Sequence, residues 1–192
     1  MLEHWLYDAT GLLLTPVIAT LVALGAFALV MFGGFLREGL ERRASRPAPA
    51  RSATPMAPLA HLLAQHEAPG MLGRFAREAR SAADDPRRLA EVATRCELEA
   101  TRRVSRLNLV ARAGPTLGLM ATLIPMGPAL MALADNDVSG LARSLVVAFT
   151  ATVCGLLVGL LCATMGTVRR HWYAADLTLV DELLERAEAL PR

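Results

Sequence analysis

Three stretches of the chain are apolar without interruption: Ala9–Leu36, Ala113–Ala134 and Ser144–Val168 contain no Asp, Glu, Lys or Arg. Each is longer than the ~18 apolar residues that mark a membrane-span candidate, and at ~1.5 Å rise per residue each crosses a ~30 Å hydrocarbon core. Apolar and polar positions do not alternate in them, as they would along the strands of a transmembrane barrel. Outside the spans the period is helical. Leu89, Val92, Cys96, Ala100, Val104, Leu107 and Ala111 recur at three- and four-residue steps, and Leu177, Val180, Leu184 and Ala187 form a second stripe with acids opposite. Asp84-Asp85-Pro86 is a helix start, with acids at the cap and proline in the first turn. The first stripe meets no breaker before Gly114, which predicts one long helix rising into the second span. Short helices are expected at Leu59–Glu67 and Gly70–Ala83, after a proline-rich linker over Ala44–Pro58. The predicted fold is all-α and polytopic. Three transmembrane helices are expected, the second and third extended into a cytoplasmic helical bundle whose apolar faces need each other or further copies of the chain as partners. The segments read as 1–36, outer N-terminus and first span; 37–58, linker; 59–112, cytoplasmic helices; 113–134, second span; 135–143, outer turn; 144–168, third span; and 169–192, cytoplasmic C-terminal helix.

Composition sharpens this picture. Of 192 residues 54% are apolar and only 20% charged, and a mean hydropathy of +0.38 excludes a water-soluble enzyme. All 20 basic residues are arginine, and fifteen of them lie between Arg37 and Arg112 beside nine acids. Interleaved in that way and flanking the spans, they read as orientation charge rather than a nucleic-acid surface. Arg37, Arg42, Arg43 and Arg46 follow the first span, Arg102, Arg103, Arg106 and Arg112 precede the second, and Arg169 and Arg170 follow the third. The opposite ends carry Glu3 and Asp8, or Asp135 and Asp137 with Arg143 alone. The positive-inside rule then places the N-terminus outside and both the 37–112 segment and the C-terminus in the cytoplasm. Trp5 and Tyr7 at one membrane surface, and Trp172 and Tyr173 at the other, fit as interface anchors. The N-terminus is acidic and its apolar core long, so it reads as a retained span rather than a cleaved signal.

Spans two and three differ from the first, which reads as a lipid-facing helix. In span two Gly114, Gly118, Ala121, Pro125, Ala129 and Ala132 trace a small-residue face; in span three Ser144, Ala148, Thr152, Gly155, Gly159, Ala163 and Gly166 do the same. Gly114-x-x-x-Gly118 and Gly155-x-x-x-Gly159 both have the close-approach spacing. The helix-packing set is therefore Gly114, Gly118, Ala121, Pro125, Ala148, Gly155 and Gly159. Hydroxyls lie on or beside these faces. Membrane threonines commonly bond back to a carbonyl of their own helix, but Thr122 and Thr152 lie mid-span, where a hydroxyl can also meet water or a protonatable partner. Pro125 and Pro128 remove two backbone donors just outward of Thr122. No carboxylate, arginine or histidine lies within the spans, so a proton-moving role requires an acid from another chain. No nucleophile–base pair, phosphate loop or metal-ligand spacing is present, and Cys96, Cys154 and Cys162 show no disulfide or zinc pattern. The expectation is no enzyme, no catalytic residue, no metal and no cofactor.

Gly114-Pro115-Thr116-Leu117-Gly118-Leu119-Met120-Ala121-Thr122-Leu123, followed by Ala151-Thr152-Val153-Cys154-Gly155-Leu156, resembles the MotA/TolQ/ExbB proton-channel family. That family pairs a P-x-L-G-L-x-G-T-type second span with an A-T-x-x-G-L-type third span. The resemblance covers about residues 87 to 185. Three spans with the N-terminus outside are similar to the TolQ/ExbB-like branch, of which Ala121 in place of glycine and the short chain mark a divergent member. The resemblance implies a proton-channel, stator-like subunit of the inner membrane. It implies a homo-oligomer, a pentamer, around ExbD- or TolR-like single-span partners that carry a membrane aspartate. Thr122 and Thr152 match the threonines that line the family's proton path. Membrane lipid is the other expected contact, and nucleic acid is not one. The alternative is a non-conducting scaffold or adaptor subunit of another transport complex.

Overall fold

A computed structural model describes residues 2–44, 70–82 and 85–189; of the linker expected over 37–58, residues 37–44 instead continue the first helix, and its remainder and the short helix expected at Leu59–Glu67 lie outside the described residues. Among the described residues the chain forms four α-helices and no strand: α1 Leu2–Ala44, α2 Met71–Ser81, α3 Pro86–Ala134 and α4 Val138–Ala189. Over Leu12–Arg43, Arg87–Ala134 and Val138–Glu182 the helices are long and apolar enough to cross a membrane. The protein is an all-helical, multi-pass membrane protein.

Local chemistry sets the helix ends. At the start of α3 the Asp85 carboxylate accepts the Arg87 amide at 3.0 Å, and the Asp85 carbonyl accepts the Leu89 amide at 3.0 Å. Pro86 occupies the first helical position, where its missing N–H costs nothing. Gly70 precedes α2 with φ +115°, a conformation that a side chain would strain. α3 stops in a Schellman arrangement: the Asp137 amide donates to Ala132 O at 2.8 Å and the Asn136 amide to Leu133 O at 3.1 Å. Asn136 supplies the left-handed residue this needs, at φ +57°. Asp137 then caps α4, its carboxylate accepting the Gly140 amide at 2.9 Å. Two helices of 49 and 52 residues are thus joined by three non-helical residues.

Contacts divide the chain into two compact units, Met1–Phe32 with Arg106–Met165, and Gly33–Ser105 with Gly166–Arg192. In the first, Val17 and Leu21 of α1 pack with Ala121 of α3 and Ala151 of α4, supported by Leu117 and Ile124. Ala28 of α1 is buried too, whereas Leu12, Val22, Leu29 and Val30 are 66–80% exposed. Among the described side chains of this unit α1 therefore buries one narrow stripe, Val17, Leu21 and Ala28.

The second unit has an ordinary apolar core. Phe75, fully buried, sits with Leu72, Ala76 and Ala79 of α2 against Leu89 and Cys96 of α3 and Val180 of α4. Burial of a side chain of that size contributes ~1.5–3 kcal/mol. A neighbouring cluster joins Met71, Ala100 and Tyr173, with Val104, Trp172 and Leu177 packed on it. Of the stripe read from Leu89 to Ala111, Leu89, Cys96 and Ala100 in this unit and Leu107 in the first are each under 7% exposed, and Val92, Val104 and Ala111 are half-buried.

Candidate functional site

The antiparallel hairpin of α3 and α4 in the first unit holds the small-residue faces. Gly114, Gly118, Gly155 and Gly159 come together there. A Cβ built on Gly155 would lie 2.6 Å from Gly114 O and 2.9 Å from Gly118 Cα, and one on Gly114 would lie 2.8 Å from Gly155 O. On Gly159 it would meet the Pro115 ring at 2.6 and 2.7 Å. The two backbones touch over successive turns, at a separation that only glycine permits. Ala121 is fully buried, in the cluster that joins Ala151 of α4 with Val17 and Leu21 of α1. Pro125 and Ala148 are buried as well.

Thr152 stands at the level of Gly118. Its hydroxyl lies 3.2 Å from Ala148 O, one turn back on its own helix, and 3.2 Å from Gly118 O across the hairpin. A single proton is shared between two carbonyls, one on each helix. Thr122, one turn further along α3, donates to Leu119 O at 2.7 Å. Thr116, Thr150 and Thr164 likewise bond back to their own helices. Each hydroxyl retains acceptor lone pairs after its proton is committed. Pro125 and Pro128 lie inside α3 and leave Ala121 O and Ile124 O without their intrahelical donors.

The second unit contains a group of charges that reading the arginines as orientation charge misses. Arg42 Nη1 and Nη2 donate to the two oxygens of Asp176 at 3.1 and 2.5 Å. Glu38 lies 3.6 Å from Arg42 and 3.3 Å from Arg169. The Arg42 guanidinium lies over the Trp172 ring at 5.1 Å. Trp172 stacks on Phe35 at 5.3 Å, and Arg169 sits 6.0 Å over Phe35. Arg169 and Asp176 are each 6% exposed. Charges buried to that depth require partners, and here each has at least one. The sequence does carry a signal for this: Arg169, Tyr173, Asp176 and Val180 fall at steps of four, three and four, so two charged residues stand in phase with an apolar stripe. Glu99 bridges Arg74 at 2.9 Å and Arg103 at 2.6 Å in the same unit. Burial pushes the Cys96 thiol above its usual pKa, and Glu78 and Glu99 add to the effect while Arg74 opposes it.

Fold and site together define a multi-pass membrane protein whose last two spans, themselves free of charge, form a hairpin with backbones in contact and hydroxyls along it. Residues 55–181 match the sequence model of the MotA/TolQ/ExbB proton channel family, and the chain belongs to that family. No curated protein and no solved structure matches the chain significantly.

Proposed function

We propose that the chain is the channel-forming subunit of a proton-driven complex of the TolQ/ExbB-like branch, in the inner membrane with its N-terminus outside and its C-terminus in the cytoplasm. Five copies surround a dimer of ExbD- or TolR-like single-span proteins, each bringing a membrane aspartate. Spans at 9–36, 113–134 and 144–168 hold the assembly in the bilayer, and residues 59–112 and 169–192 form its cytoplasmic part. The observation that carries the reading is the hairpin within the matched segment: it offers Thr122 and Thr152 as hydroxyl acceptors but no group that can carry a proton itself. In this reading the hydroxyls accept a hydrogen bond from the partner's protonated aspartate and hold it neutral at depth, where a carboxylate is costly. Each proton that crosses 100 mV releases ~2.3 kcal/mol, which drives motion of the partner.

The back-bonded threonines favour a second reading, a non-conducting scaffold that uses the same glycine faces to gather another transporter's helices. Proton flux into vesicles separates the two. The channel reading expects flux from the subunit with its aspartate-bearing partner and none from the subunit alone. Thr122→Val and Thr152→Val should each lower that flux at least tenfold while the complex still assembles. Full flux in both variants removes these residues from the path, and a complex that assembles but never conducts supports the scaffold.

A further inference from the structure

The second unit carries a cavity of 440 Å³ lined by Phe35, Leu36, Leu40, Arg42, Arg43 and Trp172. Its place relative to the bilayer follows from the sequence: Leu36 is the last residue of the first charge-free stretch, and Arg37 begins the charged segment. The cavity therefore stands where hydrocarbon gives way to headgroups, the depth that tryptophan prefers. Its walls are of two kinds. Leu36 and Leu40, 48% and 67% exposed, carry the apolar surface of α1 beyond the end of the span. Arg43 adds a guanidinium at the same rim.

The neighbouring charges are accounted for. Arg37 pairs with Glu41 at 2.8 Å, Glu38 serves Arg42 and Arg169, and Asp176 serves Arg42. Arg43 is exposed and has no ion pair among the described residues. Arg42 is fixed in the wall by Asp176 and by Trp172 beneath it. An apolar trough at interface depth, with a cation at its polar end that has no ion pair among the described residues, matches one chemistry: a phosphate joined to an acyl chain. We propose that this cavity binds an anionic phospholipid from the leaflet covering the arginine-rich end of α1. Its phosphate sits on Arg43, and its chain lies along Leu36 and Leu40 against the Trp172–Phe35 stack. A basic pocket beside membrane helices is a general form of lipid recognition.

Trp172 reports on the site directly. Trp5→Phe leaves it as the sole tryptophan, since the chain has two. The full chain is placed in phosphatidylcholine vesicles in which part of the lipid is replaced by brominated phosphatidylglycerol or, at equal fraction, brominated phosphatidylcholine. Contact with bromine quenches indole fluorescence. The expected quenching corresponds to an affinity about fivefold higher for the anionic lipid, the effect of one basic residue near an anionic surface. Arg43→Gln should abolish the preference, whereas Arg143→Gln, at the opposite membrane surface, should leave it intact. Equal quenching by the two lipids overturns the proposal, as does a preference that survives Arg43→Gln. Relief of the preference by inorganic phosphate, beyond that given by chloride at matched ionic strength, reassigns the site to a free anion and overturns it too.

Discussion

Replacing Gly155 by alanine tests the packing on which the hairpin rests. The new Cβ would stand 2.6 Å from Gly114 O, against an ordinary contact distance of 3.4 Å, so α3 and α4 must separate locally by 0.8 Å or distort. The atoms in the way are backbone, at Gly114 O and at Gly118 Cα and N, so no rotamer change relieves the clash. A gap of ~0.5–1 Å forfeits a quarter to a half of each dispersion contact it opens, and overpacking of this kind costs ~1–3 kcal/mol. Alanine also gains ~0.5–1 kcal/mol over glycine in a helix interior, which would mask part of the loss. Gly33→Ala removes that ambiguity. Nothing lies within 4 Å of a Cβ built there and no proline follows it, so it reports the helix term alone, and the difference between the two variants isolates the clash. Unfolding of the purified full chain in mixed micelles, titrated with SDS, should place Gly155→Ala ~1–3 kcal/mol below Gly33→Ala. Gly159→Ala, blocked by the stiff Pro115 ring, should fall with Gly155→Ala. Equal stability of Gly155→Ala and Gly33→Ala would refute the claim that the backbones touch.

Two other measurements address the second unit. Asp176→Asn removes the bidentate acceptor of Arg42 and leaves a partly buried guanidinium to share Glu38 with Arg169. Because Arg42 keeps 23% of its side-chain surface in solvent, the loss is set at ~1–3 kcal/mol, below that of a fully buried pair. A double-mutant cycle with Arg42→Gln should show strong coupling, and additive effects would mean that the pair is idle. In a Cys154→Ser, Cys162→Ala background Cys96 should react with maleimide far more slowly in the folded protein than after SDS unfolding, because it is both buried and held protonated. The linkage has one sign: with the folded pKa raised, the contribution is full below the unfolded thiol pKa of ~8.5 and is lost as pH climbs through the folded value. Stability should therefore decline on the alkaline side by more in this protein than in its Cys96→Ala variant, and parallel curves would contradict the assignment.

Much of this architecture can be read from residue order. Charge-free runs and three- and four-residue periodicity locate the long helices, because nothing but an amphipathic helix places Leu89, Cys96, Ala100 and Leu107 on one side. Asp85 and Pro86 mark a helix start by mechanism, through an orphan amide and a missing one. The spacing of Gly114 and Gly118, and of Gly155 and Gly159, marks two faces for close helix approach, and the structure pairs them with each other. Residue types say less about which small residue faces which neighbour. Ala121, three residues from Gly118, packs with Ala151 across the hairpin and also with Val17 and Leu21 of α1, a third helix that its spacing alone does not reveal. Arginine is the most ambiguous letter of all. Arg37, Arg42 and Arg43 look equivalent as topology signals, yet one pairs on an exposed face, one is clamped by Asp176, and one has no ion pair among the described residues. Only the phase of Asp176 with the apolar stripe hints at that difference.

Packing also bears on why an acid should be absent from the hairpin. With glycine backbones separated by less than a Cβ would need, the interface has no room for a carboxylate, still less for the water or counter-charge that would keep it ionised. Inserting a charge at that depth costs ~2.5–3.5 kcal/mol even before contacts are lost. A carboxylate at Gly118 would have to pass Gly155 Cα, 3.3 Å from its first carbon, and would separate the helices that position Thr152. Hydroxyls escape this penalty by donating to their own backbone, as Thr122 does to Leu119, while keeping lone pairs for a visitor. The contacts that hold the hairpin together thus exclude an ionisable side chain from the face where the glycines meet, and the remaining span positions carry none in this sequence. The proposed assembly, in which the aspartate comes from a second chain, is consistent with that absence.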